Sequence, residues 1–186
     1  DAVQPSMGAY EAGYLVPAVD WCNLQSPAIS IVNEGVGITV YAQVFEDYIT
    51  TTQGQGEGIQ CWIGWNTSNT NPDTWAFNNW YEATYNTDVG NNDEYMADNP
   101  GYFGAGTYYF ASRFLITDGV YQYGGWHVGG GGFWDGTQNV SGILTIEDNT
   151  IDWANILYPE TISIEAGETT DIYARYHANG VTTLET

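Results

Sequence analysis

The residues able to perform catalytic chemistry are few in this chain, and their spacing matches no common catalytic set. His127 and His177 are the only histidines, and Cys22 and Cys61 are the only cysteines. The Gly-x-Ser-x-Gly pattern of many serine hydrolases does not occur. Carboxylates are plentiful, but their spacing singles out no pair for acid–base work. We therefore expect that the protein is not an enzyme and that it requires no cofactor.

The two cysteines are candidates for a structural bond. Cys22 and Cys61 enclose about forty residues, and a disulfide across such a loop stabilises a secreted protein by roughly 3–4 kcal/mol. In a cytosolic protein they would instead be two buried thiols. The composition is acidic, lacks lysine and is rich in Tyr, Trp and Gly, which favours the exterior of the cell. We predict an extracellular or cell-surface protein with a Cys22–Cys61 disulfide.

One acidic loop combines hard oxygen ligands with a glycine turn. It covers residues 88–94, and its carboxylates are Asp88, Asp93 and Glu94. Calcium prefers such oxygens, although the residue order of an EF-hand is missing. The three carboxylates are the candidate ligands of a Ca²⁺ ion, and the alternative is a solvated hairpin loop.

Aromatic residues beside flexible loops suggest a second kind of site. Trp126 and Trp134 flank the glycines of residues 129–132, and planar rings suit the faces of sugars. The alternative is that these rings pack over the ends of a sheet. Asn66 and Asn139 begin glycosylation sequons, each of which would lie on an exposed loop.

Composition excludes several partners. The 186 residues include 23 acidic and only two basic side chains, for a formal net charge of −21. Binding to nucleic acid or to anionic membranes requires Lys and Arg, so we expect neither. No apolar run is long enough to span a membrane. The hydrophobic content of 43% and the aromatic content of 16% are sufficient for a folded core.

Period-2 alternation predicts strands along most of the chain. Apolar and polar residues alternate over 38–45, 59–65, 108–116 and 142–146, with shorter candidates at 80–85, 94–97 and 120–123. Turn-forming residues separate these segments, and sustained helical spacing is missing. The fold class predicted is all-β, an antiparallel immunoglobulin-like β-sandwich.

An internal repeat is the most informative feature. Residues 20–51 align without gaps on 152–183, with nine identities in 32 positions. The matches include Asp20-Trp21 with Asp152-Trp153 and Tyr41-Ala42 with Tyr173-Ala174. The chain is therefore divided into an N-terminal arm (1–19), a β-sandwich domain (20–150) and a truncated second repeat (151–186).

The second repeat carries strands expected near 161–164 and 170–176. A strand pair of this size does not bury enough surface to be stable alone. It would pack on its own first domain, begin a further domain of a longer polyprotein, or complete a neighbouring subunit by adding strands to an exposed edge. The N-terminal arm would be either a donor or an acceptor in that third arrangement.

Residues 54–75, 89–94, 106–114 and 129–136 resemble a β-sandwich module of secreted Bacteroidota-type bacterial exoproteins. That module often occurs in tandem beside other domains, and the resemblance implies a fold rather than a catalytic activity. The plan of one module with a spare strand pair is similar to strand-donating surface fibre subunits.

Together these observations predict a structural subunit of an extracellular fibre or surface filament, which assembles head to tail with copies of itself by β-strand complementation. A secreted carbohydrate-binding or adhesion module, with a polysaccharide partner, is the alternative. The residues expected to mediate assembly lie in the second repeat and are Trp153, Ile162, Ile164, Ile172, Ala174 and Tyr176.

Overall fold

The regular secondary structure of the described residues is almost entirely β-strand, as the alternation predicts. A computed structural model describes residues 16–148, 151–158, 163–178 and 181–185. Within them, the only helical segments are two short 3₁₀ turns, Pro72–Thr74 and Phe77–Asn79. The all-β fold class is confirmed, and none of the described helices is long and apolar enough to cross a membrane.

The strands form two sheets. The larger sheet contains β1 (Trp21–Ser26), β2 (Ile29–Asn33), β3 (Thr39–Phe45), β4 (Ile59–Asn66), β5 (Trp80–Val89), β6 (Asn92–Asp98), β7 (Gly106–Ile116), β8 (Gln122–Gly125), β9 (Gly132–Phe133) and β10 (Gly142–Glu147). The smaller sheet, which we call the tail sheet, contains β11 (Ile151–Tyr158), β12 (Tyr173–Ala178) and β13 (Val181–Glu185).

One long strand divides the larger sheet into two layers. The N-terminal half of β5 pairs with β4, whereas its C-terminal half pairs with β6. One layer therefore has the order β1-β3-β6-β5 and the other the order β5-β4-β7-β10-β2. The first order corresponds to A-B-E-D of immunoglobulin-like sandwiches, and the second contains C-F-G as β4-β7-β10. Pairing is antiparallel throughout except between β2 and β10, which are parallel.

The core lies between the two layers because alternate side chains of each layer point inward. Leu24 and Val40 from the first layer meet Ile63, Phe110 and Leu144 from the second in one buried cluster. Burial of these apolar side chains provides the main stabilisation of the sandwich.

The predicted strands differ from the observed ones mainly at their ends. The segments at 59–65, 108–116 and 142–146 match β4, β7 and β10 closely. In the second repeat, the strand expected at 170–176 begins only at Tyr173, and of the strand expected at 161–164 only residues 163 and 164 are described, neither in a strand. None of the predicted segments covers β1, β2, β9, β11 or β13.

The N-terminal arm lies outside the described residues except for 16–19. Val19 is buried in the core, and the carbonyl of Pro17 accepts a hydrogen bond of 2.9 Å from the Val120 amide. The end of the arm therefore packs on the sandwich beside the start of β8.

Candidate functional site

The tail sheet reproduces the opening strands of the sandwich in the same register. In the first copy Trp21 pairs with Phe45, and Trp153 pairs with His177 at positions 132 residues later. Every other pair between β1 and β3 also recurs between β11 and β12, including the register shift near the end of β1. The sequence repeat is therefore a structural repeat at the level of individual residue pairs.

The turn that follows β2, at residues 33–36, recurs at residues 165–168 of the second repeat. Gly35 has a φ of +83° and Gly167 a φ of +98°, a backbone conformation that favours glycine. The hydrogen bond from the Val36 amide to the Asn33 carbonyl is 3.1 Å long, and its counterpart from Glu168 to Glu165 is also 3.1 Å.

Burial distinguishes the two copies. Leu24 and Val40 are fully buried in the first copy, but the equivalent Ile156 and Ile172 are 59% and 49% exposed. Ile164 is also half exposed. We call Ile156, Ile164 and Ile172 the tail patch. The side chains that form a core in one copy therefore face solvent in the other.

The residues expected to mediate assembly are placed as follows. Trp153 lies in β11 and Tyr176 in β12, where they pair with His177 and Ala154. Ile162 lies outside the described residues. Ala174 lies in β12 and is partly exposed, Ile172 directly precedes β12, and Ile164 lies outside the strands. Their role in assembly stays a prediction.

A second exposed apolar patch lies on the sandwich itself. β2 pairs with β10 and with no other described strand, so one of its edges is open. Ile29 and Ile31 on β2 are 65% and 64% exposed. An open edge with apolar side chains is a template for pairing with another strand. We call this feature the β2 edge.

Asn23 joins both layers through three hydrogen bonds. Its Oδ1 accepts a bond of 2.9 Å from the Gln43 amide, and its Nδ2 donates one of 2.6 Å to the Gly130 carbonyl. Its backbone carbonyl accepts a bond of 2.7 Å from the Ser112 hydroxyl. Asn23 is buried, whereas the equivalent Asn155 in the tail sheet is exposed.

A glycine of β8 and one of the glycine-rich loop pack tightly against Asn23. A Cβ atom at Gly124 would lie 2.5 Å from the Asn23 carbonyl carbon, and one at Gly131 would lie 3.1 Å from the Asn23 Cβ. The glycines at these two positions therefore allow close approach of the protein's own backbone.

The predicted disulfide is not formed. Cys22 and Cys61 are both free thiols, buried in the core from different layers. Burial raises the pKa of both thiols well above the usual range, so the reactive thiolate is scarcely populated. In this structure both side chains act as small apolar core residues.

The carboxylates predicted to bind calcium are not brought together. Asp88 and Asp93 are cross-strand neighbours, but Glu94 follows Asp93 in β6 and points to the opposite face. Asp93 Oδ2 accepts a bond of 2.6 Å from the Gly56 amide, and Glu94 accepts one of 2.6 Å from Asn86. In the part of the chain that the structure describes, no three acidic, His or Cys side chains could hold a metal ion.

A cluster that the sequence did not predict surrounds Arg113 of β7 on the outer face of its layer, with rings from β4, β5 and the residue before β8. The guanidinium carbon lies 4.3 Å from the ring centroid of Tyr121, 4.5 Å from Trp80 and 4.9 Å from Trp62. Arg113 is buried, and burial lowers its pKa. Cation–π contacts of this kind stabilise a partly desolvated charge. The cluster therefore stabilises the packing of β4, β5 and β7 on the side away from the core.

Both tryptophans of the predicted glycan site have packing partners within the domain. Trp126 packs against the core, and the Trp134 indole donates a bond of 3.1 Å to the Ser141 hydroxyl. A contact between these rings and a glycan stays a prediction.

The two sequon asparagines and His127 are also engaged locally. Asn66 is the last residue of β4 and half-buried, and Asn139 is half-buried with its amide 3.4 Å from Asp135. Neither lies on the fully exposed loop that a glycosylation site was expected to occupy. His127 Nδ1 accepts a bond of 3.0 Å from the Gly129 amide.

Comparisons with known proteins identify no family for this chain. No family model and no curated protein matches this chain. One similar solved structure is the cycloalternan-forming enzyme from Listeria monocytogenes in complex with a pentasaccharide substrate, with a TM-score of 0.39 and 16% sequence identity. The match covers 89% of this chain but only 12% of that enzyme. The resemblance to bacterial exoprotein modules therefore has no support from a family model or a curated relative.

Proposed function

We propose that this protein is an extracellular structural module that associates head to tail with copies of itself through its tail sheet. The contrast in burial between the two copies carries the proposal. The same strands pair in the same register, yet Leu24 and Val40 are covered while Ile156 and Ile172 are not. A small sheet with uncovered apolar residues gains stability when another surface covers it.

The β2 edge of a neighbouring copy is the proposed acceptor. It offers exposed Ile29 and Ile31 together with unpaired backbone groups. The tail sheet has its own open edges at β11 and β13. Because donor and acceptor are different surfaces of one chain, the contact repeats from copy to copy into a filament or a ring.

Magnitudes favour strand pairing over contact between apolar side chains alone. Complete burial of an isoleucine contributes about 1.5–3 kcal/mol. The two isoleucines of the β2 edge and the three of the tail patch are roughly half exposed, so covering all five contributes about 5 kcal/mol. Association costs about 4–15 kcal/mol in lost translational and rotational freedom. Backbone ladder bonds, at about 0.5–1.5 kcal/mol each, would supply the remainder.

Two single substitutions test the head-to-tail arrangement. Ile31→Lys places a charge on the β2 edge, and Ile172→Lys places one in the tail patch. Each variant alone should remain monomeric in sedimentation velocity at concentrations where the wild type associates, since each has lost one half of the contact. Mixed together, the two variants should form a dimer that grows no further, because one intact tail patch meets one intact β2 edge.

Val128→Lys is the matched control, since Val128 is 83% exposed and belongs to neither patch. It should associate like the wild type. Association should strengthen as salt is added, because copies with a net charge of −21 repel each other. A wild type that stays monomeric at high salt and high concentration, or a mixture that forms no dimer, would overturn the proposal.

A further inference from the structure

A groove of about 550 Å³ lies on the outer face of the β3-β6-β5 layer. It forms where β5 passes from one layer to the other, between Ala83, which pairs with β4, and Thr84, which pairs with β6. Tyr41 from β3 and Tyr81 from β5 line it, with Met96 of β6 between the two strands. None of the functions discussed above uses this surface.

Hydroxyl and carboxylate groups lie beside the two tyrosines. Thr39, Thr84, Glu82 and Asp98 line the same groove. The Thr39 hydroxyl donates a bond of 2.6 Å to Asp98 Oδ1, which uses only one of the two carboxylate oxygens. The exposed Glu82 lies on the other side of the groove. The groove therefore offers hydrogen-bond acceptors next to aromatic rings.

The phenol of Tyr81 is held in its neutral form. Its hydroxyl is hydrogen-bonded to the hydroxyl of Tyr102, and burial together with this contact raises the pKa of Tyr81 to about 12. The ring and hydroxyl therefore keep the same character across the neutral pH range. Binding in the groove should not depend on titration of this group.

The chemistry of the lining selects among ligands. Two carboxylates and a chain charge of −21 disfavour any anion. A neutral sugar matches both parts of the lining, because its hydroxyls donate to carboxylates while its C–H faces pack on aromatic rings. A cationic peptide would also use both parts of the lining, through ion pairs and cation–π contacts, but its binding would weaken as salt is added.

We infer that the groove lined by Tyr41, Tyr81, Glu82 and Asp98 binds a neutral polysaccharide. The inference does not depend on head-to-tail association, since the groove lies on another surface from both the β2 edge and the tail patch. It also concerns other residues than the site predicted at Trp126 and Trp134.

Affinity gel electrophoresis tests the inference with four neutral polysaccharides: an α-glucan, a β-glucan, a xylan and a galactomannan. At least one should retard the full chain, equally at 50 and 500 mM salt. Tyr41→Ala should weaken the retardation at least ten-fold. Thr84→Arg, which fills the groove from an exposed position, should do the same without disturbing the core. Tyr48→Ala, at a tyrosine that is 85% exposed and outside the groove, should have no effect.

Several results would overturn the inference. These are a chain that none of the four polysaccharides retards, retardation that survives both groove substitutions, and binding confined to polygalacturonate or oligolysine. Retardation lost in Trp126→Ala but retained in Tyr41→Ala would assign the ligand to the other site. The thermal midpoint of each variant confirms that it is folded.

Discussion

Replacing Asn23 by alanine tests how much the hydrogen bonds of its buried side chain stabilise the sandwich. The substitution removes the acceptor for the Gln43 amide at 2.9 Å and the donor to the Gly130 carbonyl at 2.6 Å. The backbone carbonyl of residue 23 still accepts from Ser112. Only the two side-chain bonds are lost.

The loss of stability depends on how deeply the two backbone groups that lose a hydrogen-bond partner are buried. The Gln43 amide is buried, so leaving it without a partner costs about 1–3 kcal/mol. The Gly130 carbonyl is only partly buried, so water replaces part of its lost bond and the cost there is about 1 kcal/mol. The free energy of unfolding should fall by about 2–4 kcal/mol. For a chain of this length the thermal midpoint should fall by roughly 5–15 °C.

Asn155→Ala is the matched control, because Asn155 occupies the equivalent position of the repeat but is exposed. It should change the free energy of unfolding by less than about 0.5 kcal/mol. Urea denaturation followed by tryptophan fluorescence measures both variants. Equal losses in the two variants, or no loss in Asn23→Ala, would refute the argument from burial.

Two further substitutions test the packing and the electrostatics of the sandwich. Gly64→Ala places a Cβ atom 2.6 Å from the Trp80 ring, so it should cost about 1–3 kcal/mol by overpacking; an unchanged thermal midpoint would contradict this contact. Burial, reinforced by the charge of Asp88, raises the pKa of Asp93, so the folded state binds this proton more tightly and stability should rise as the pH falls from 7 toward about 4. Asp93→Asn should keep the bond to the Gly56 amide, remove the buried charge, and flatten that dependence without loss of stability at pH 7. Urea denaturation at pH 5 and 7 measures it, and a destabilised variant with an unchanged pH dependence would contradict the reasoning.

Most strands with one buried face could be predicted from the sequence. Two could not: β1, where three consecutive residues are buried and the alternation is lost, and the exposed edge strand β2. In β4, Ile59, Cys61, Ile63 and Trp65 alternate with outward residues because one face meets the core. In β2, the isoleucines point outward, so the usual link between apolar residues and burial is reversed. The repeat could be predicted because the two copies have similar residues at a constant spacing, and similar local sequences form the same strand pairs.

Sites that depend on contacts between distant strands were beyond the sequence. The cluster around Arg113 brings Trp62, Trp80 and Tyr121 from three other segments, and only the sheet order makes them neighbours. The three carboxylates predicted as calcium ligands do not come together, for a reason visible in the sequence. Asp93 and Glu94 are adjacent in a strand, so alternation directs them to opposite faces.

The parallel pairing of β2 with β10 determines how the sandwich responds to mechanical load. Five residue pairs join these strands, from Ile29 with Ile143 to Asn33 with Glu147. A pull applied before β2 and after β10 drags the two strands lengthwise in opposite directions. All the bonds between them then bear the force at once instead of opening one by one. A module tethered at both ends would therefore resist stretching through the β2–β10 pairing.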